Sequence, residues 1–303
     1  MSPLTRFLEV DDLDPAGLAR VLDRAASWKS QAVPELWSGR HAVLFFEKPS
    51  ARTRVSTEIA LRSLGAGPIY VRGEEVGLGT RESPSDVART FGSYVDALCA
   101  RVFEHSVLET FVAESGVPIV NLLSDRAHPC QALADLLTLR EECGALEGCQ
   151  LAYVGDGNNV AASLAFAAAL SGIELIVASP AGYELSPEVV DAAKNLGAQI
   201  EMTADPHEAV RGADAVYTDV WTSMGQEDER NRRLTAFDGY LVDEVLMAEA
   251  APDAIFLHCL PAHRGEEVAG AVIDGPRSRV WQQAANRMHA IRALLAELTL
   301  EED

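Results

Sequence analysis

The chain has 303 residues, 48% of them hydrophobic, enough to bury the cores of two medium-sized domains and to exclude disorder over most of its length. Its 25 Lys and Arg stand against 46 Asp and Glu, a formal charge of −21 that repels phosphate backbones and anionic lipid, so neither nucleic acid nor a membrane surface is an expected partner. The five cysteines (Cys99, Cys130, Cys143, Cys149, Cys259) form no Cys-x-x-Cys pair and no even framework, which is the usage of a cytoplasmic protein with reduced thiols. The opening MSPLTRFLEVDDLDP has no basic region followed by an apolar one, and no apolar run reaches the ~18 residues of a membrane span.

In chain order, short runs rich in Val, Ile, Leu and Phe alternate with stretches of helical period, the pattern of parallel sheets covered by helices. Strands are expected at His41–Phe46, 68–71, 97–102 and 118–121, with helices over 52–64, 85–94 and 106–114. A long amphipathic helix, Pro129–Cys143, is stopped by Gly144. Beyond it, strands are expected at 151–154, Glu174–Ala178, 199–202, Ala215–Thr218 and 254–258, apolar without clean alternation, as in sheets buried on both faces. A last helix over 283–298 gathers Met288, Ile291, Leu294, Leu295 and Leu298 on one side. The expected fold class is therefore α/β: two parallel-sheet α/β domains of similar size joined by helices, with the active site in the cleft between them. Residues 1–143, completed by the terminal helix 280–303, make one domain and residues 144–279 the other.

Several strand ends carry chemistry. Glu47-Lys48-Pro49-Ser50-Ala51-Arg52-Thr53-Arg54 runs from a strand through a turn into a helix, where hydroxyls, unpaired amides and the positive end of the helix dipole make an anion cradle. The same residues also fit an ordinary Ser cap followed by solvated arginines. Arg101 closes a strand at its carboxyl end, where ligands bind in open α/β sheets. His128 and Gln131 share a face on the first turn of the long helix, and both can hydrogen-bond a carbonyl or amide. Gly155-Asp156-Gly157-Asn158-Asn159 invites a dinucleotide reading, but Val160 stands where the third glycine belongs, and the Asn pair suits an amino-acid carboxylate or amine instead. Asp219 opens a loop through Ser223, Met224 and Gly225 that can close over a site. His258-Cys259-Leu260-Pro261-Ala262-His263 ends another strand; adjacent His258 and Cys259 point oppositely on a strand, so a tetrahedral zinc set is missing and no metal is expected.

Taken together, in this order and over nearly the whole chain, these segments resemble the aspartate/ornithine carbamoyltransferase family, in its ornithine-using branch. The resemblance rests on Ser50, Arg52, Thr53 and Arg54 in a Ser-x-Arg-Thr-Arg motif, on Arg101, on His128-Pro129-Cys130-Gln131, on Asp219 with Ser223-Met224-Gly225, on His258-Cys259-Leu260-Pro261 and on Asn286-Arg287-Met288-His289. It implies transfer of the carbamoyl group of carbamoyl phosphate to the δ-amine of L-ornithine, giving L-citrulline and phosphate, by a cytoplasmic homotrimer of arginine biosynthesis that needs no cofactor. It further implies that Ser50, Ala51, Arg52, Thr53, Arg101, His128, Gln131, Cys259, Leu260 and Arg287 hold carbamoyl phosphate, and that Asn159, Asp219, Ser223, Met224 and Cys259 hold ornithine. Among these, Arg52, Thr53, Arg101, His128, Asp219 and Cys259 are the catalytic residues the resemblance implies, and residues 79–83 would contribute across a subunit interface. Arg52, Arg54, Arg101 and Arg287 are expected to gather at one pocket. Ala51 departs from the family, which has threonine there; the main-chain N–H survives, so weaker phosphate affinity is expected rather than lost function. Three other readings stay open: a carbamoyltransferase of the same fold acting on putrescine or an acylated ornithine, a nicotinamide-dependent dehydrogenase, and a non-catalytic descendant of the family.

Overall fold

The computed structural model describes residues 4–222 and 227–298, so Ser223 and Met224 lie outside the described residues. Two compact units emerge, Met1–Ala134 with Asn286–Asp303, and Asp135–Ala285. The division falls inside two helices, Pro129–Cys143 and Val280–Glu297, and not at the break that Gly144 suggests. A helix that runs unbroken from one unit into the next has no composition change to mark the boundary. No helix among the described residues is long and apolar enough to cross a membrane.

The first unit is built on a five-stranded parallel sheet of β1 (Arg6–Phe7), β2 (His41–Phe46), β3 (Gly67–Arg72), β4 (Ala97–Arg101) and β5 (Ile119–Leu123), in the order β1-β5-β4-β2-β3. All five β4 residues are buried, because helices cover both faces of a parallel sheet and leave no solvent side to alternate toward. Phe45 packs on Phe91 and Phe111 at 6.4 and 5.9 Å between ring centres. β1 and the helix Pro15–Ser27 were not expected; two residues show no period, although Asp14, whose side chain accepts from Gly17 N–H, and Pro15 form a legible helix start. That helix holds the chain's last one, with Arg24 and Arg20 both on Glu297 and Trp37 Nε1 donating to the Leu295 carbonyl at 3.0 Å.

The second unit repeats the plan with β6 (Gln150–Val154), β7 (Glu174–Ala178), β8 (Gln199–Thr203), β9 (Ala215–Thr218) and β10 (Ile255–His258), all parallel, in the order β10-β9-β6-β7-β8. The helix Asn159–Ser171 after β6 is apolar on every side and buried from Val160 to Ala168, as a helix enclosed by its unit must be. Gly157 is demanded by close approach: a Cβ there would lie 2.2 Å from the Leu185 nitrogen.

In both sheets the chain grows one way and then reverses. The reversal lies between β2 and β4 in the first unit and between β6 and β9 in the second. Connections leaving the carboxyl ends there diverge to opposite faces and open a crevice. Ser50 and Arg101 sit at the first of these positions, Asn158 and Asp219 at the second.

Candidate active site

In the first unit, Ser50 caps the helix Ala51–Ser63: its Oγ accepts from Thr53 N–H at 3.3 Å and donates to Thr53 Oγ1 at 3.0 Å. Arg287, from the last helix, reaches this cap. Its Nη2 donates to Thr53 Oγ1 at 3.1 Å, and its Nη1 to Gln131 Oε1 at 2.5 Å and to His128 Nε2 at 3.4 Å. Five residues named from sequence, Ser50, Thr53, His128, Gln131 and Arg287, thus form one connected set. Arg287 and Arg101 are 7% and 8% exposed, two nearly buried cations in a molecule of net negative charge.

Burial, then the Arg287 and Arg101 charges, hold the His128 imidazole well below its usual pKa. His128 is therefore neutral at pH 7, with its Nε2 facing the Arg287 guanidinium. Lys48, absent from the expected set, stands half-buried over the Phe103 ring at 4.5 Å, its ammonium pKa lowered by burial and by Arg101. Its place in the same strand-to-helix turn as Ser50 was the available signal.

One expectation for this pocket needs correction. Arg54 does not join it: its Nε pairs with Glu58 at 2.7 Å and its guanidinium lies 3.7 Å from the centre of the Tyr70 ring. One residue beyond Thr53 on a helix is a turn of about 100°, which carries Arg54 to the outer side. Arg52 and Ala51 are exposed on the first turn of the same helix, beside the Ser50 cap.

In the second unit the focus is Asp219, 5% exposed, with both carboxylate oxygens engaged. Asn158 Nδ2 donates to one at 2.9 Å, and the Cys259 thiol donates to the other at 2.9 Å. Asn158 is also the helix cap, its Oδ1 accepting from Val160 and Ala161 N–H at 2.8 and 3.3 Å. Asn158 thus touches Asp219, and Asn159 is the half-buried first residue of the helix. Tyr153, whose hydroxyl lies 3.4 Å from Asn158 Oδ1, went unnoticed because it reads as an ordinary buried strand residue. Beside it, Asp156 is paired with buried Arg233 at 2.8 Å.

Cys259 follows the last residue of β10, so strand alternation does not govern it, and donor atoms of Asp219, His258 and Cys259 lie within 4.8 Å of one another. A second such group is His263, Glu266 and Glu267. In the first group the thiol and carboxylate are spent on each other, and His258 Nδ1 accepts from Leu260 N–H at 2.9 Å. The residues fit hydrogen-bonded recognition of a polar ligand.

Residues 5–141 match the family model described as aspartate/ornithine carbamoyltransferase, carbamoyl-P binding domain, and residues 147–298 match its Asp/Orn binding domain. The chain belongs to the aspartate/ornithine carbamoyltransferase family. The ornithine carbamoyltransferase of Acidothermus cellulolyticus is 50% identical over 301 residues, spanning 97% of this chain and 96% of that protein. Among solved structures, ornithine carbamoyltransferase from Thermus thermophilus superposes with a TM-score of 0.90 at 43% identity, covering 98% of this chain and 99% of that one. The Pyrococcus furiosus ornithine carbamoyltransferase gives a TM-score of 0.94 at 42% identity, with 99% of each chain covered. These likenesses leave no place for the dehydrogenase that the Gly-Asp-Gly turn invites.

Proposed function

We propose that this protein is an ornithine carbamoyltransferase: it passes the carbamoyl group of carbamoyl phosphate to the δ-amine of L-ornithine, releasing L-citrulline and phosphate. The observation that carries the reading is the convergence of Arg287 on Thr53, His128 and Gln131, residues far apart in sequence, beside the capped helix start at Ser50. In this reading the first unit takes carbamoyl phosphate. Ser50, Arg52, Thr53 and the amide of Ala51 hold the phosphate, with Arg101, as a leaving group. The carbonyl oxygen gains negative charge as the amine attacks, and Thr53, Arg101, His128 and Arg287 stabilise it. A neutral His128 does this by hydrogen bonding and gives up no proton. Gln131 binds the carbamoyl amide.

The second unit takes ornithine. Asp219 and Asn159, with Ser223, hold its amino-acid end, Met224 closes over it, and Cys259 with the Leu260 carbonyl faces the δ-amine. Free ornithine carries that amine as an ammonium of pKa about 10.4, so binding must select or generate the neutral form before attack. We propose a role in arginine biosynthesis and a cytoplasmic homotrimer in which residues 79–83 contribute across subunits.

An assay of carbamoyl transfer from carbamoyl phosphate to ornithine, putrescine and N-acetylornithine tests the reading. Citrulline from ornithine at a rate well above the other acceptors is the expected result. Equal or greater transfer to another amine removes ornithine as the substrate, and no transfer to any of them removes the activity.

A further inference from the structure

The end of β10 is held from its outer side. β10 is the last strand of its sheet, next to β9, and on its other side Phe256 forms a single parallel bridge to Ser278. Phe256 N–H donates to the Arg277 carbonyl, and Arg279 N–H donates to the Phe256 carbonyl, both at 2.9 Å. Two residues on, the place of a neighbouring strand is taken by one side chain: fully buried Gln283, whose Oε1 accepts His258 N–H at 2.9 Å. Its Nε2 donates to Asp135 Oδ1 at 2.7 Å. A carboxylate accepts and does not donate, so Asp135 claims the amide nitrogen and leaves the oxygen for His258; Asp135 decides which way the amide faces.

From His258 the constraint passes forward. Its Nδ1 accepts Leu260 N–H at 2.9 Å, and its Nε2 meets Glu267 Oε1 at 3.2 Å. An imidazole that accepts at Nδ1 while neutral carries its proton on Nε2, which donates to Glu267. Leu260 has φ +59°, a region that an L residue other than glycine occupies only when its surroundings hold it there. Between these anchors, the Cys259 thiol donates to Asp219.

We infer that Gln283, oriented by Asp135, is a positioning residue for the Cys259–Leu260 turn, acting through the main chain of His258. Its kinetic consequence rests on the proposed function, in which that turn faces ornithine; its geometric consequence does not.

Two variants test it, Gln283→Met, which keeps the shape and loses both hydrogen bonds, and Gln283→Glu/Asp135→Asn, which keeps both with the second reversed in polarity. The readouts are the iodoacetamide alkylation rate of Cys259, followed by peptide mass spectrometry, and the KM for each substrate. The Met variant is expected to change the Cys259 rate about fivefold or more and to raise the ornithine KM about tenfold, with the carbamoyl phosphate KM within about twofold of the parent. The double variant is expected to restore all three. A folded Met variant with unchanged Cys259 reactivity overturns the inference, as does an equal rise in both KM values, the mark of general loosening. Should the Met variant not fold, the double variant decides: parent-like values support the inference, and a folded double variant still impaired ends it. If the parent protein forms no citrulline, the proposed function fails, while the alkylation rates still judge Gln283.

Discussion

A buried guanidinium is costly unless its N–H groups are used, and Arg287 spends them on Thr53, Gln131 and His128. Burial first, and then the Arg287 and Arg101 charges, set the ionisation of His128, with a consequence for stability. The imidazole's folded pKa lies well below the ordinary 6.5, so as pH drops below about 6.5 the unfolded chain binds a proton that the folded one does not. Stability from neutral His128 is complete above that pH and is lost as pH falls through the window beneath it, by up to about 1.4 kcal/mol per pH unit. Urea unfolding at pH 7.5 and 5.5 should therefore show a smaller acid-side loss for His128→Asn than for the parent; equal losses would count against a neutral buried His128. At this scale the sequence was legible where a motif names a residue type and its spacing, as for Ser50, Thr53, His128, Gln131 and Arg287. It was less so where neighbours compete for one role. The outward turn of Arg54 depends on about 100° of helix rotation that composition does not display, and the contact of Asn158 with Asp219 on a fold that brings two strand ends together.

At the scale of elements, the helix start after β2 does two jobs, since Ser50 Oγ both caps the helix and fixes the hydroxyl of Thr53. Removing the side chain separates them. Ser50→Ala should cost about 1 kcal/mol of stability through the lost cap, whereas Ser50→Gly should cost only a few tenths, because glycine is tolerated at that position. Both should raise the carbamoyl phosphate KM alike, as neither retains the hydroxyl. Thermal melts beside substrate titrations measure this, and a KM that tracks stability across the pair would reduce Ser50 to a cap. The second-unit strand ends show the same economy: Asn158 caps the helix Asn159–Ser171 and holds Asp219 with one amide group. Strands and long helices were readable because apolar runs and 3.6-residue periods are local. The strand β1 was not, since two residues acquire their conformation from pairing with β5 alone.

For the whole molecule, the charge of −21 belongs to the outside. Arg101 and Arg287, with Lys48 nearby, make a positive interior site at the first sheet's reversal, and the acidic surplus bears on solubility more than on ligand choice. Val55 and Ile59, four residues apart and 58% and 49% exposed, lie on the outer side of the helix Ala51–Ser63, where a neighbouring copy in the proposed homotrimer would cover them. Light scattering should give a mass three times the chain's 32.6 kDa, and Val55→Glu/Ile59→Glu should lower it. A parent mass of one chain would refute the trimer.

By itself the sequence determined the α/β class, the position of most strands, the ordered motifs and, through them, the family, because each depends on residues near one another in the chain. Only the tertiary structure decided which motif residues meet. Sheet order brings the ends of β2 and β4 together, and those of β6 and β9, and the last helix carries Arg287 back to a cap more than two hundred residues earlier. Contacts at that separation depend on packing, which no local pattern encodes, and so do Arg54's departure, the bond of Asn158 to Asp219 and the clamp on β10 by Gln283.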